Sequence, residues 1–582
     1  MGIWAQEWSE GKPVGVVHGG ARAAACPLPY DVIRSPAPSA TALQRAKRGN
    51  FEIHETTAHL VPPVNWESNP QNAQAYRHQL EKLQWIQPLL YAYQHGDRAA
   101  LRQALGLALD WVRDNQPGGP TTPPDAWHDA RTGDRAPYIA YVMNAARCEH
   151  MLTPARGRLL ANSIREHARV LLADSRTKRT NHGLFVDLGL TLLAREVPFM
   201  HQAPRWRRVG QREFARTLRG RIYPREGFWL EQSAGYQLLV IKNLARFLAV
   251  PGNADSGLQR ILRRMQRTSA WLQMPDGRIP QFGDSDLKRL PASARGAASA
   301  ARGMLVLRKS GYAFVKEPGA YLSVEASFHN TSHKHADELS FDLYDRGHRI
   351  VSDTGLYAKD PGPAFNFAHS ARAHSVVTVD GRSFPLQARL AYGSGIVAAG
   401  SGHGWFAIYG RNPLLRTQGV SHHRLFLYRP HRALIVVDLV RSASMHTYDR
   451  FFQLGPDIGI RGSAAGLRLS ARGFSGSLDA TSSSGPVRLM TEKGRMHPLA
   501  GLTSPRFRVW VPRWTARYRT AGANSNQVAA FDLSSARPLR VRLGRASNRR
   551  IDLCVGGLRA PPIRLSIDRR GGALSVHAAR CP

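Results

Sequence analysis

The stretch FHNTSHKHADELSFDLY, residues 328–344, holds three histidines, His329, His333 and His335, followed by Asp337. Imidazoles bind metals and move protons at neutral pH. On an extended segment, residues two apart point the same way, so His333 and His335 can serve one site. Asp353 follows in IVSDTGLY, and His369 and His374 lie in HSARAHSVVTVDG. Two nitrogen donors, a carboxylate and an open position make a common zinc set. The bland reading is a polar surface loop.

Three other groups could do chemistry. Asn181 and His182 open a predicted helix, where Asn181 could equally be an N-cap. Glu231 and Tyr236 stand in EGFWLEQSAGYQLL. Tyr236 is an acid or base in reach of a substrate, or a core residue with its hydroxyl at the rim. In AWHDARTGDRAPYI, Trp127, His128, Asp129 and Arg135 offer an aromatic face and a guanidinium that could stack on a sugar and bind a carboxylate, or simply start a helix.

The elements that carry these residues change period along the chain. From about residue 70 to 275, apolar residues recur three and four apart between short links, as in AALRQALGLALDWVRDNQPGG and HGLFVDLGLTLLARE. That predicts antiparallel helices in a bundle or an α/α toroid. From about residue 305 the period becomes two, with strands in AYLSVEASF, LSFDLYDRGHRIVSD and HRLFLYRPHRALIVVDLV, and a hairpin at Arg346-Gly347. The fold class expected is α+β and multidomain. It comprises an N-terminal extension (1–60), an α/α toroid (61–300) and an antiparallel β-sandwich (301–582), with residues 280–303 as the linker.

Composition narrows the partners. There are 80 Lys+Arg against 42 Asp+Glu, a net charge of +38, which attracts polyanions. Arginine is spread evenly, no helix-turn-helix, zinc-finger or RNP-like motif is present, and so specific nucleic-acid recognition is not expected. No apolar run is long enough to span a membrane. The four cysteines, Cys26, Cys148, Cys554 and Cys581, form no C-x-x-C, and Cys554 and Cys581 could pair in an oxidising compartment. No signal peptide is visible, which leaves a periplasmic, secreted or cytoplasmic location open.

HKHADE nearly matches the H-x-H-x-D-H of metallo-β-lactamases, but Glu338 stands where that pattern needs histidine, and the chain continues as β rather than βα. The ordered set of HKHADELSFDLYDRGHRIVSDTGLY, AHSVVTVDG, Asn181-His182 and Tyr236 instead resembles the heparinase II/III-like superfamily of polysaccharide lyases, which includes alginate and oligoalginate lyases. The resemblance spans about residues 60–450. It implies a toroid followed by a β-sandwich, and β-elimination on uronic-acid polysaccharides of the heparin, heparan sulfate, hyaluronan or alginate type. It implies Asn181, His182, Tyr236 and His333 as catalytic, Tyr357 near the substrate, and zinc on His335, Asp353 and His374. Arg135 and Glu231 are expected to bind substrate. Ser375 replaces the asparagine common in the family, and His369 is an alternative to His374. A non-catalytic glycosaminoglycan-binding protein on the same fold is the second expectation.

Overall fold

The protein's structure is a computed structural model that describes residue 26 and residues 37–54, 56–70, 72–123, 126–290, 300–463, 466–535, 539–557 and 561–581. The chain divides into two compact units. The helical unit takes the chain up to Pro224 with Leu239–Arg263, and the β unit takes Arg225–Leu238, Arg264–Leu290 and the chain from residue 300 onward. The signal-peptide question and most of the expected N-terminal extension lie outside the described residues. The part that is described, helix α1 (Ala40–Lys47) and the hairpin β1 (Asn50–Ile53) with β2 (Thr56–His59), buries Ala46, Phe51 and Ile53 in the helical core rather than standing apart from it.

The apolar periods form helices as expected. Residues 75–97 break into α2 (Gln74–Glu81) and α3 (Gln87–Gln94), because Leu83 takes a left-handed conformation between them. Then come α4 (Arg98–Asp114), α5 (Asp129–Cys148), α6 (Pro154–Thr177), α7 (Asn181–Glu196) and α8 (Ala203–Gly220), followed by α9 (Ala234–Ala249) and α10 (Ser256–Ser269), which the two units share. Nearly all of α5 and α7 is buried, whereas α6 and α8 are amphipathic. An inner and an outer layer result. The inner helices α5 and α7 touch backbone to backbone, since a Cβ on Gly189 would lie 2.2 Å from the Gly133 carbonyl oxygen. Helix α8 was not legible in the sequence. Its buried stripe of Trp206, Phe214 and Leu218 is thin and interrupted by Gly210 among many arginines.

In the β unit, β3 (Gly303–Leu307), β4 (Tyr312–Glu317), β5 (Ala320–Glu325), β7 (Ser340–Asp345) and β8 (His348–Val351) form an antiparallel sheet, while the short β6 (Ser327–Phe328) pairs with Gly393–Ser394. The expected hairpin joins β7 to β8, with Arg346 and Gly347 both at positive φ. The other large sheet, fourteen-stranded among the described residues, is centred on Ala433–Gln453 paired with Trp514–Asp532. Alternation assigns its two faces. Phe426, Val436 and Phe531 pack against Val315, Leu322 and Val324 of the five-stranded sheet, which makes the expected sandwich. Leu425, Ile435 and Val437 on the other face pack against Ile551, Leu553, Leu565 and Ile567. The arginine-rich strands beyond residue 500 are therefore a continuation of the large sheet that adds a third layer.

Two disulfides are formed, Cys26–Cys148 and Cys554–Cys581. The second spans 27 residues of the last strands. Replacing both Cys554 and Cys581 with alanine should lower the stability of this meander by about 3 kcal/mol. Hydrogen exchange across residues 550–580 would measure it, and unchanged protection would show that the bond contributes nothing.

Candidate active site

The segment expected to be a linker is the centre of the site in the β unit. Residues 280–290 pack into the unit with Phe282 and Leu290 buried, and Asp284 is a hub. One Asp284 oxygen accepts from His333 Nδ1 at 2.8 Å. The other accepts from His335 Nε2 at 3.0 Å and lies 3.5 Å from His369 Nε2. Burial pushes the Asp284 carboxyl up, but the hydrogen bonds from the three histidines outweigh it and hold the group well below the usual carboxylate range. Gly283 lets this segment fit, since a Cβ there would lie 2.1 Å from the Gln232 carbonyl oxygen and 2.7 Å from that of His333.

His333 and His335 reach Asp284 from a loop between β6 and β7, not from the extended segment expected. His333 has φ 58°, in the left-handed region. Gln232 pins this loop by donating to the carbonyls of Asn330 and Ser332 and accepting from the His329 N–H. Because a carboxylate only accepts, His333 carries its proton on Nδ1 in this contact, which leaves Nε2 a lone pair.

Tyr236 stacks on His333 with ring centroids 3.5 Å apart and planes 18° from parallel. Its phenol oxygen accepts from Lys359 Nζ at 3.2 Å. Burial raises the Tyr236 pKa above its ordinary value, and the Lys359 ammonium opposes that rise. The phenol is therefore protonated at neutral pH, and the ammonium is placed to stabilise the phenolate. Glu231 is fully buried with Oε2 3.6 Å from His333 Nε2, so it backs the imidazole instead of contacting substrate as expected. Tyr357 stacks on Trp510 at 4.2 Å, two residues from Lys359.

Of the expected zinc donors, Asp353 and His374 form a buried pair, with His374 Nδ1 2.9 Å from Asp353 Oδ2 and His374 Nε2 donating to the Ala368 carbonyl at 3.0 Å. His335 lies beside them, its ring 5.3 Å from that of His374. It gives Nε2 to Asp284 and leaves a buried Nδ1 with no hydrogen-bond partner among the described residues. Burial, with the neighbouring His369, lowers the His335 pKa to about 4, so the ring is neutral and Nδ1 can donate its lone pair. The tightest grouping of donors in this unit is Asp284, His335 and His369, whose ligand atoms lie within 4.8 Å of one another and could hold a metal ion. Asp337 has a different task. With Glu325 and Glu338 it surrounds the buried Lys334 ammonium, and removing that ammonium would leave buried carboxylates uncompensated.

The helical unit carries a second cluster. Thr180, not Asn181, is the N-cap of α7, accepting from the His182 N–H at 3.3 Å, and Asn181 is the first helical residue. His182 Nδ1 lies 3.0 Å and His128 Nδ1 2.7 Å from the same Asp129 oxygen, and Lys178 is 3.4 Å from the other. Burial raises the Asp129 pKa, but the two histidines hold the carboxyl far below its ordinary range. Asp129, His128 and His182 also lie close enough to share a metal ion. The paired N-termini of α5 and α7 add positive potential at this end. Asn181 is only 4 % exposed, whereas the His182 side chain is 42 % exposed. Arg135 does not belong here. It is wholly buried, donates to His167 Nε2 and to the Glu81 and Ala126 carbonyls, and lies 3.8 Å from the Trp111 ring centroid, so it holds the core together and does not meet a substrate.

Two family models match, the heparinase II/III N-terminus over residues 41–301 and the heparinase II/III-like C-terminal region over residues 300–522. The chain belongs to the heparinase II/III-like polysaccharide lyase superfamily. It is 22 % identical over 366 residues to a heparin-sulfate lyase of Pedobacter heparinus, a match covering 56 % of this chain and 55 % of that one, so it spans about half the length of this curated relative. Among solved structures it resembles a heparinase III (TM-score 0.74, 14 % identity, 94 % of this chain and 92 % of that one). It also resembles the heparan sulfate lyase of Pedobacter heparinus (TM-score 0.64, 17 % identity, 94 % and 90 %).

Within this heparinase II/III-like chain the sequence reading missed Asp284 and Lys359. Asp284 lay in GDSD, which reads as turn chemistry. Lys359 lay in a lysine-aspartate pair with nothing to set it apart from a solvated face. The phenol contact gives Lys359 a measurable role. Lys359→Met should lower turnover of a cleaved glycan by about 10²-fold. It should also move the alkaline limb of the pH–rate profile upward, because the ammonium that lowers the Tyr236 pKa is gone. An unmoved limb would separate Lys359 from Tyr236.

Proposed function

We propose that this protein is a polysaccharide lyase that cleaves uronic-acid-containing acidic glycans, of the heparin, heparan sulfate, hyaluronan or alginate type, by β-elimination. The observation that carries the reading is the stacked Tyr236–His333 pair, with the phenol on Lys359 and the imidazole on Asp284, inside a chain of this family. A uronate must lose the proton on the carbon beside its carboxylate and expel the glycosidic oxygen. Asp284 fixes the His333 tautomer, and Nε2, which lies 3.6 Å from Glu231 Oε2, is assigned to take that proton. Tyr236, protonated at neutral pH, hands its proton to the leaving oxygen, and Lys359 stabilises the phenolate that results. The carboxylate makes the first proton hard to remove, so donors that neutralise it lower the barrier most. Asn181 and His182 are assigned that part.

The donors fit zinc on His335, Asp353 and His374. His335 Nδ1 is buried without a partner, and both imidazoles make the outer hydrogen bonds that metal-bound histidines typically make, to Asp284 and to the Ala368 carbonyl. Bound there, zinc would supply positive charge that fixes the loop carrying His333. The two disulfides suit folding in an oxidising compartment, which favours a periplasmic or secreted enzyme.

Incubation with a panel of acidic glycans, followed by the ultraviolet absorbance of unsaturated uronate ends, tests the reaction. Absence of such ends on every glycan at several pH values overturns it. Tyr236→Phe should reduce turnover by at least about 10²-fold with binding retained. Metal content separates the two donor sets in the β unit. His374→Ala should abolish zinc binding, while Asp284→Asn should weaken it by about 10–100-fold. Metal lost from Asp284→Asn but kept in His374→Ala would instead assign the ion to Asp284, His335 and His369.

A further inference from the structure

The outer layer of the helical unit holds a feature that the reaction does not use. A groove of about 420 Å³ runs between α6 and α8, lined by Arg165, Arg169, Arg176 and Arg205 over Trp206 and Leu172. All four arginines are exposed. Arg169 pairs with Glu166 at 2.8 Å, and Arg165 donates to the Asn162 side chain. Among the described residues, Arg165, Arg176 and Arg205 have no carboxylate within ion-pair distance. No acidic residue lines the groove. Positions 165, 169 and 176 are four and seven apart, so they share one face of α6 and are spaced by about 6 and 10 Å along it. Guanidinium groups bind sulfate and carboxylate in two-pronged fashion, and a row of them with free donors is matched by a chain bearing anions at regular intervals.

We propose that this groove is an anchoring site for the acidic glycan chain, separate from the residues that cleave it. The choice of a glycan over nucleic acid rests partly on the lyase reading and partly on the groove itself. Its aromatic floor residue, Trp206, is buried in the core and presents no open face on which a base could stack. The anchoring holds long chains near the enzyme between cleavage events and contributes to KM for polymers but not to the chemical step.

The test compares two variants of the full-length protein that lose the same four charges. One replaces Arg165, Arg169, Arg176 and Arg205 with glutamine. The other replaces Arg540, Arg542, Arg545 and Arg570, exposed on the β unit, in the same way. Matching thermal melts establish that both fold. On immobilised heparin the groove variant should elute at clearly lower salt than the control, and its slope of log affinity against log salt should be smaller by about 3. With polymer, its KM should rise about tenfold while kcat, and cleavage of the shortest oligosaccharide accepted, stay unchanged. Equal elution of the two variants overturns the proposal, since net charge alone would then account for binding. Loss of affinity for single-stranded DNA without loss for heparin overturns it in favour of nucleic acid. If neither variant nor the parent cleaves any glycan but the elution difference persists, the groove stands and the lyase reading falls.

Discussion

One carboxylate organises the β unit's chemistry. Asp284 accepts from His333 and His335 and lies 3.5 Å from His369, and its two oxygens set the proton positions on the first two rings at once. His333 receives a fixed tautomer, and His335 keeps its other nitrogen buried, with its ring 5.3 Å from that of His374. An ionised aspartate beside three imidazoles stays ionised, so this arrangement persists across the pH range in which a lyase would act. The glycine before Asp284, the positive φ of His333 and the three hydrogen bonds of Gln232 all serve to bring two distant loops to this one group.

Three other groups of buried charge follow the same rule of compensation. Lys334 lies among three carboxylates, Asp129 is held by two histidines and a lysine, and Glu231 stands behind His333. Residues next to each other in sequence thus have unrelated tasks: Lys334 and Asp337 balance each other in the interior while His333 and His335 meet Asp284. Charge at the surface behaves differently. There the large positive excess is uncompensated, and it is available to draw in a polyanion.

Much of the fold was legible because burial imposes a period. Helices α4, α5, α6 and α7 and strands β4, β5, β7 and β8 carry their apolar residues at the spacings those elements require. The reading failed where the signal was not periodic. Helix α8 buries a thin stripe, Leu83 breaks a helix through a backbone conformation that leucine rarely adopts, and the strands beyond residue 539 are linked to the large sheet where Ala399 pairs with Ala573 across a long sequence separation.

Family membership, the two classes of secondary structure and the residue types of the site followed from the sequence by itself, because motif order and hydrophobic period are local properties. Partnership was decided only by the tertiary structure. It took Arg135 and Glu231 out of solvent, gave Thr180 the N-cap position that was one of two readings of Asn181, and turned a turn-like Gly-Asp-Ser-Asp into the hub beneath His333. The physical reason is that a side chain's pKa, tautomer and exposure depend on groups that are close in space. For Asp284 and His333 those groups lie 49 residues away along the chain.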